Sequence, residues 1–286
     1  MILSLIRRHL TVYLRDRWAV FFSFLSVFII LALFMVFLRS MVMNWYSDAL
    51  DQSLAEIMIN HWVLSGVLMV ATVTVPLGFL GIMVQDRETK AINDFYVAPV
   101  NRGHIVISYL LSALIIGVVL GILNLAVGQV YMLLVYGDLL PVWDWLRLLG
   151  LIVISTALFS SVFFYVVTLL KTSNSHGTLS TLIGTLIGFL AGIYVVIGGL
   201  PSFTQTLLSL LPTMHMASAF RLIYMDNALI QMAEHGMNVE AFSLNMGVRL
   251  EFFGLSPGLW ALIAMALVWT AVFVALSLMR VRKMKR

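Results

Sequence analysis

The chain has 286 residues, is 62% hydrophobic and only 10% charged, and its net charge is +4. A soluble domain is about 45–50% apolar and about 25% charged, so this composition excludes an ordinary water-soluble fold and makes lipid the solvent. There is no cysteine, which excludes a disulfide framework, a thiolate metal site and a thiol nucleophile.

The first segment, MILSLIRRHLTVYLRDR, precedes an apolar run too long for a cleavable signal, and no small-residue cleavage site follows. Ser4, Arg8, Thr11 and Arg15 recur at helical spacing with Arg7 beside them, while Ile2, Leu3, Leu5, Ile6, Leu10 and Leu14 cover much of the rest. This pattern predicts an amphipathic helix over residues 1–17 lying in the interface. A plain basic flank that orients the first span is the alternative.

A membrane-spanning helix needs about 20 mostly apolar residues. Six charge-free runs qualify: Trp18–Leu38, Trp62–Val84, Ile105–Tyr136, Leu148–Leu170, Thr178–Gly198 and Leu259–Met279. The third would be roughly 48 Å long as a single helix, so it projects beyond the bilayer or bends near Gly117, Gly121 or Gly128. Six spans put both termini on one side. With that side cytoplasmic, 13 of the 17 Lys and Arg residues lie inside, and only Arg39, Arg147, Arg221 and Arg249 lie outside. The positive-inside rule then places residues 85–104 in the cytoplasm and residues 39–60 and 199–256 outside.

No predicted span carries Asp, Glu, Lys or Arg in its interior. Ion-driven carriers and charged-filter channels place ionisable groups there, so a self-contained engine or filter is disfavoured. The only Lys followed by Ser or Thr is Lys171–Thr172, after VVTLL with no glycine before it, so there is no phosphate loop. The six histidines are scattered without metal-ligand spacing, and His215 reads as packing or an interfacial anchor. Asp226, Glu234, His235, Glu240 and Glu251 form no recognisable catalytic constellation. Catalytic residues, metal ligands and a cofactor of the chain's own are therefore not expected.

Among the predicted cytoplasmic loops between spans, the most densely charged is QDRETKAINDFYVAPVNRGHI, residues 85–105. Its charges suit a docking contact, with Pro99 setting a turn and Phe95 and Tyr96 as an apolar anchor. A hydrated connection whose charges merely face water fits equally. This segment resembles the one after the second span of ABC type-2 transporter permeases. Asp86, Arg87 and Glu88 match that family's acidic–basic–acidic cluster; Pro99, Val100 and Arg102 match its Pro-Val-Ser-Arg end, with Asn101 in the serine place. Lys90 and Ala91 stand where Gly-Thr is usual. Residues 198–225 resemble the family's segment after the fifth span, with Leu200, Pro201, Pro212 and Arg221 in the matching places.

The resemblance implies an all-α permease of six transmembrane helices, formed by residues 1–286 as one transmembrane domain. It implies two cytoplasmic ATPase subunits that carry ATP and Mg, and a second permease copy or a homologous permease. The chain itself would hydrolyse nothing. Asp86, Arg87, Glu88, Lys90, Phe95, Tyr96, Pro99 and Arg102 would form the ATPase-coupling loop. The interfacial helix, with Arg7, Arg8 and Arg15, would flank the same dock. Gly198, Gly199, Pro201, Pro212 and Arg221 would belong to a re-entrant external hairpin between helices 5 and 6. Residues 226–256 read as an external cap. Membrane lipid is a partner, and no nucleic acid is expected. Export of a hydrophobic or amphipathic compound across the plasma membrane is the implied function; a non-transporting scaffold or sensor of the same fold, or a self-contained lipid or drug carrier, is the alternative. Asn124, Gln129, Thr72, Thr74, Thr181 and Thr185 are the polar groups within spans, for substrate contact or for helix–helix hydrogen bonds.

Overall fold

The computed structural model describes residues 2–18, 20–21, 29, 52–93, 102–251 and 254–283. Most of the first predicted span, residues 39–51 and the stretch from Asp94 to Asn101 lie outside these residues. Among the described residues there are ten α-helices, one 3-10 turn and no strand.

The interfacial segment forms α1 (Ile2–Arg15), which buries Leu5, Ile6, His9 and Tyr13 along one stripe. Then come α2 (Gln52–Glu88), α3 (Arg102–Tyr136), α4 (Val142–Val167) and α5 (Ser173–Leu190). Four short helices follow: α6 (Ser202–Ser209), α7 (Pro212–Tyr224), α8 (Asp226–Glu234) and α9 (Val239–Asn245), before the terminal α10 (Leu259–Lys283). Helices α2, α3, α4 and α10 are long and apolar enough to cross a membrane.

Helix α2 is the hub. It is apolar on every side, as a helix surrounded by protein should be, and packs against α1, α3, α4, α5 and α7. Its interior proline, Pro76, gives up one helix hydrogen bond. Helix α3 runs unbroken from Arg102 to Tyr136, 35 residues, longer than a single crossing needs. Its glycines are contact points. A side chain on Gly117 would collide with Thr156 of α4 and crowd Pro76, and one on Gly121 would collide with Ile152. Helices α2, α3 and α4 approach closely because those two positions lack a Cβ. Thr72 and Ser155 share a buried hydrogen bond of 2.7 Å between α2 and α4, the helix–helix role anticipated for Thr72.

The fifth segment differs from expectation. Helix α5 starts at Ser173 rather than Thr178 and stops at Leu190 rather than Gly198. Its end has a physical cause. Arg221 of α7 is fully buried, and its Nη2 donates to the carbonyls of Ala191 and Gly192, both at 2.9 Å. Gly192 has φ +61°, a left-handed conformation that suits glycine and terminates helices. The apolar residues beyond it therefore leave the helix. Among the described residues no carboxylate pairs with Arg221. Its charge is met by carbonyls at a helix C-terminus, by Gly247 O at 3.2 Å, and by the Trp62 ring 4.8 Å away.

The two prolines begin helices as anticipated: Pro201 precedes α6, and Pro212 is the first residue of α7. With 8 and 13 residues these helices extend only roughly 12 and 20 Å, short of the roughly 30 Å needed to cross. Helix α7 packs against α2, α4 and α10. His215 is buried there, its Nε2 at 2.8 Å from Ser209 O, and burial pushes its pKa down.

Candidate coupling site

Helix α2 ends on Asp86, Arg87 and Glu88. Consecutive helical residues project about 100° apart, so three in a row reach three different neighbours. Each of these side chains engages a different element.

Asp86 turns inward and is only 6% exposed. Arg8 of α1 grips its carboxylate at both oxygens, with distances of 2.6 and 2.7 Å, and the Tyr109 hydroxyl of α3 donates to it at 2.5 Å. A bidentate guanidinium–carboxylate contact is among the stronger polar interactions available to side chains. Arg87 points toward the end of α4. Its Nη1 lies 3.4 Å from Val167 O and 3.3 Å from Thr168 O, where the helix dipole favours a cation. Glu88 reaches the start of α5. Its carboxylate accepts from the Ser173 backbone N–H at 3.0 Å and from the Ser173 hydroxyl. An acid at a helix N-terminus is favoured for the converse reason. Thr172 completes that cap by accepting from Ser175 N.

Beside Asp86, His9 stacks on Tyr109 with ring centroids 4.0 Å apart and lies 3.2 Å from the Ser108 hydroxyl. Burial, reinforced by the Arg8 charge, holds the His9 pKa down at about 4, so the ring is neutral near pH 7. The hydrogen bonds to Asp86 push the Arg8 pKa further above its ordinary value, so that group stays charged. Arg8, His9, Asp86, Ser108 and Tyr109 thus form one polar knot joining α1, α2 and α3.

Of the residues expected on the coupling loop, Asp86, Arg87 and Glu88 are tied to the chain's own helices. Lys90 is exposed and adopts φ +63° just past the end of α2. Phe95, Tyr96 and Pro99 lie outside the described residues, as does the Arg102 side chain. Arg7 and Arg15 are exposed on α1, apart from the knot. In the second predicted region, Arg221 is the organising residue. A Cβ on Gly198 would collide with Asn245 of α9, which accounts for that glycine, whereas a Cβ on Gly199 would meet no described residue within 4 Å beyond its chain neighbours. Gln129 accepts from the Leu140 backbone N–H at 3.1 Å and so fixes the loop after α3.

Sequence reading missed His9, Ser108, Tyr109 and Trp62. His9 left one trace: it falls within the stripe Leu5–Ile6–His9–Tyr13, a histidine on the apolar face of an amphipathic helix. The others carried no signal separable from ordinary core residues.

Residues 47–278 match the family profile described as ABC-2 family transporter protein. No curated protein matches the chain.

Proposed function

The chain belongs to the ABC-2 family of transporter proteins, and from that premise we propose that it is the membrane permease subunit of an ATP-driven exporter. The chain is a multi-pass membrane protein of a transport family. Two such permease chains, identical or homologous, would bind two ATPase subunits beneath the bilayer and move a hydrophobic or amphipathic compound outward. Both termini would be cytoplasmic, and residues 18–38 would supply the first of six spans. Helices α6 and α7 would re-enter from the outside, with α8 and α9 as a cap. Their short lengths and proline-defined starts support that reading.

One observation carries the proposal beyond the family: the end of α2 is tied at once to α1, α3, α4 and α5 by three consecutive charged residues. A push delivered to the loop just beyond Glu88 would be felt by four helices. The loop from Thr89 to Asn101 would be the contact with the ATPase, with Phe95 and Tyr96 as its apolar anchor, Pro99 as its turn, and Lys90 and Arg102 among its polar residues. Asp86, Arg87 and Glu88 would pass the force on from inside.

The test is copurification of the tagged permease with its ATPase, followed by ATP hydrolysis and transport in vesicles. Phe95→Ala is expected to weaken ATPase retention evenly across salt concentrations. Lys90→Glu is expected to change the salt dependence of association more than the final affinity. Normal ATPase binding and wild-type transport in both variants would reduce the loop to a hydrated connection and remove the proposal's basis.

A further inference from the structure

At the end of the bundle opposite α1 lies a cavity of about 710 Å³. It is bounded by the first turns of α4, the last turn of α7 and the start of α10. That volume falls within the roughly 300–1,000 Å³ of small-ligand sites. Its walls include Leu151, Ile154, Leu222, Ile223 and Ile263, all apolar. Its polar lining is concentrated in Arg147, Asp226 and Arg249. Trp143 and Trp260 also line it and are 63% and 80% exposed. Tryptophan and arginine at the first turns of two spans are the composition of a membrane–water interface.

Gly150 is the second observation. It lies inside α4, where glycine weakens a helix relative to alanine. Glycines 117 and 121 of α3 are explained by close contacts with α4, but a Cβ built on Gly150 meets no atom within 4 Å. Gly150 is a lining residue of the cavity. The missing side chain therefore serves no contact among the described residues; it leaves the cleft open between α4 and α10.

The charges define what fits. Arg147 lies 5.5 Å over the Trp143 ring, 3.2 Å from Asp144 and 3.6 Å from Asp226. Arg249 is exposed and forms no ion pair with a described residue. The mouth thus offers two cations and an acid together. A phosphate with a tethered ammonium group complements that set. A singly anionic headgroup would meet the same arginines but would also face Asp226.

We propose that this cleft binds one phospholipid with a zwitterionic amino headgroup. Its phosphate would sit at Arg249 and Arg147, its ammonium at Asp226, and an acyl chain along Leu151, Ile154 and Ile263. The site lies far from the α2 end that carries the coupling proposal and does not depend on an ATPase, so either idea can fail alone.

The experiment uses the purified full chain, delipidated in detergent, with native mass spectrometry to count added phosphatidylethanolamine or phosphatidylglycerol per chain. The wild type is expected to retain one phosphatidylethanolamine and to bind it at least about tenfold more tightly than phosphatidylglycerol, about 1.4 kcal/mol. Gly150→Phe, which fills the cleft, should abolish that retained lipid. Arg249→Glu, an exposed substitution that leaves the packing alone, should weaken it about tenfold and keeps the test valid if Gly150→Phe does not fold. Gly150→Ala should fold at least as well as the wild type and still bind. Equal binding of the two lipids, unchanged retention in Arg249→Glu or a folded Gly150→Phe, or a transported hydrophobic compound that displaces the lipid one for one would each overturn the assignment.

Discussion

Asp86→Asn is the most informative single change, because it separates two roles for one carboxylate. If Asp86 serves as the keystone of the α1–α2–α3 knot, its loss damages the permease with no ATPase present. Removing one partner of a fully buried pair costs about 3–5 kcal/mol, since the other charge is stranded. Here Arg8 keeps 34% of its side-chain surface and can turn toward water, whereas Asp86 cannot. That lowers the expected cost to about 2 kcal/mol, including the weakened Tyr109 hydrogen bond. At about 2–4 °C per kcal/mol for a chain of this general size, the melting temperature should drop by about 4–8 °C. Thermal unfolding of the purified permease in detergent gives the reading. A cycle with Arg8→Gln and the double variant should return a coupling of about 1–2 kcal/mol. An unchanged melting temperature, or strictly additive single effects, refutes the keystone role and leaves Asp86 available for an outside partner.

Two further outcomes follow from the buried groups. Arg221→Lys should not rescue Arg221→Met: one ammonium cannot span three carbonyls and lie flat on Trp62, so both variants should lose about 3 kcal/mol or more and express poorly, as fluorescence size-exclusion would report. For His9 the sign is set by its folded pKa of about 4 lying below its ordinary value of about 6.5. The undocked helix takes up the proton first as pH falls, so the docking of α1 is fully stable above about pH 6.5 and loses up to about 3 kcal/mol between there and about pH 4. Hydrogen exchange across residues 2–15 at several pH values should show that loss, and His9→Gln should flatten it.

The parts of the fold that were legible rested on local patterns. The stripe of α1, the starts of α6 and α7 at prolines, and the long apolar runs all act within a few residues. The parts that were not legible depend on partners distant in sequence. The apolar run 191–198 looked like continuing helix, because the residue that captures its carbonyls, Arg221, sits about 30 positions on. Asp86 read as part of a docking contact because its neighbours are charged, yet its partner Arg8 is 78 residues away. A charge cluster on a short loop announces that polar contacts exist there. It does not say whether they face water, another protein or the chain itself.

The three ties at the end of α2 also differ in strength, and that difference has mechanical content. The link through Asp86 is buried, bidentate and charge-assisted, with a tyrosine as a third contact. The Arg87 contacts are long, at 3.3 and 3.4 Å, and the Glu88 contact is exposed and screened by water. Any displacement of the α2 end therefore carries α1 and α3 with it first, whereas the Arg87 and Glu88 ties to α4 and α5 yield at lower cost. Close packing at Gly117 and Gly121 opposes sliding of α3 against α4 further into the bundle, because a tight helix contact has few alternative registers. The start of α5 is also held to α2 by His176, whose ring fills the space a Cβ on Gly81 would need and whose Nε2 lies 3.0 Å from Leu77 O, so the long Arg87 contacts with the end of α4 are the weakest of the three ties. On the proposed function, an ATPase pushing on the loop after Glu88 would first loosen the end of α2 from the end of α4.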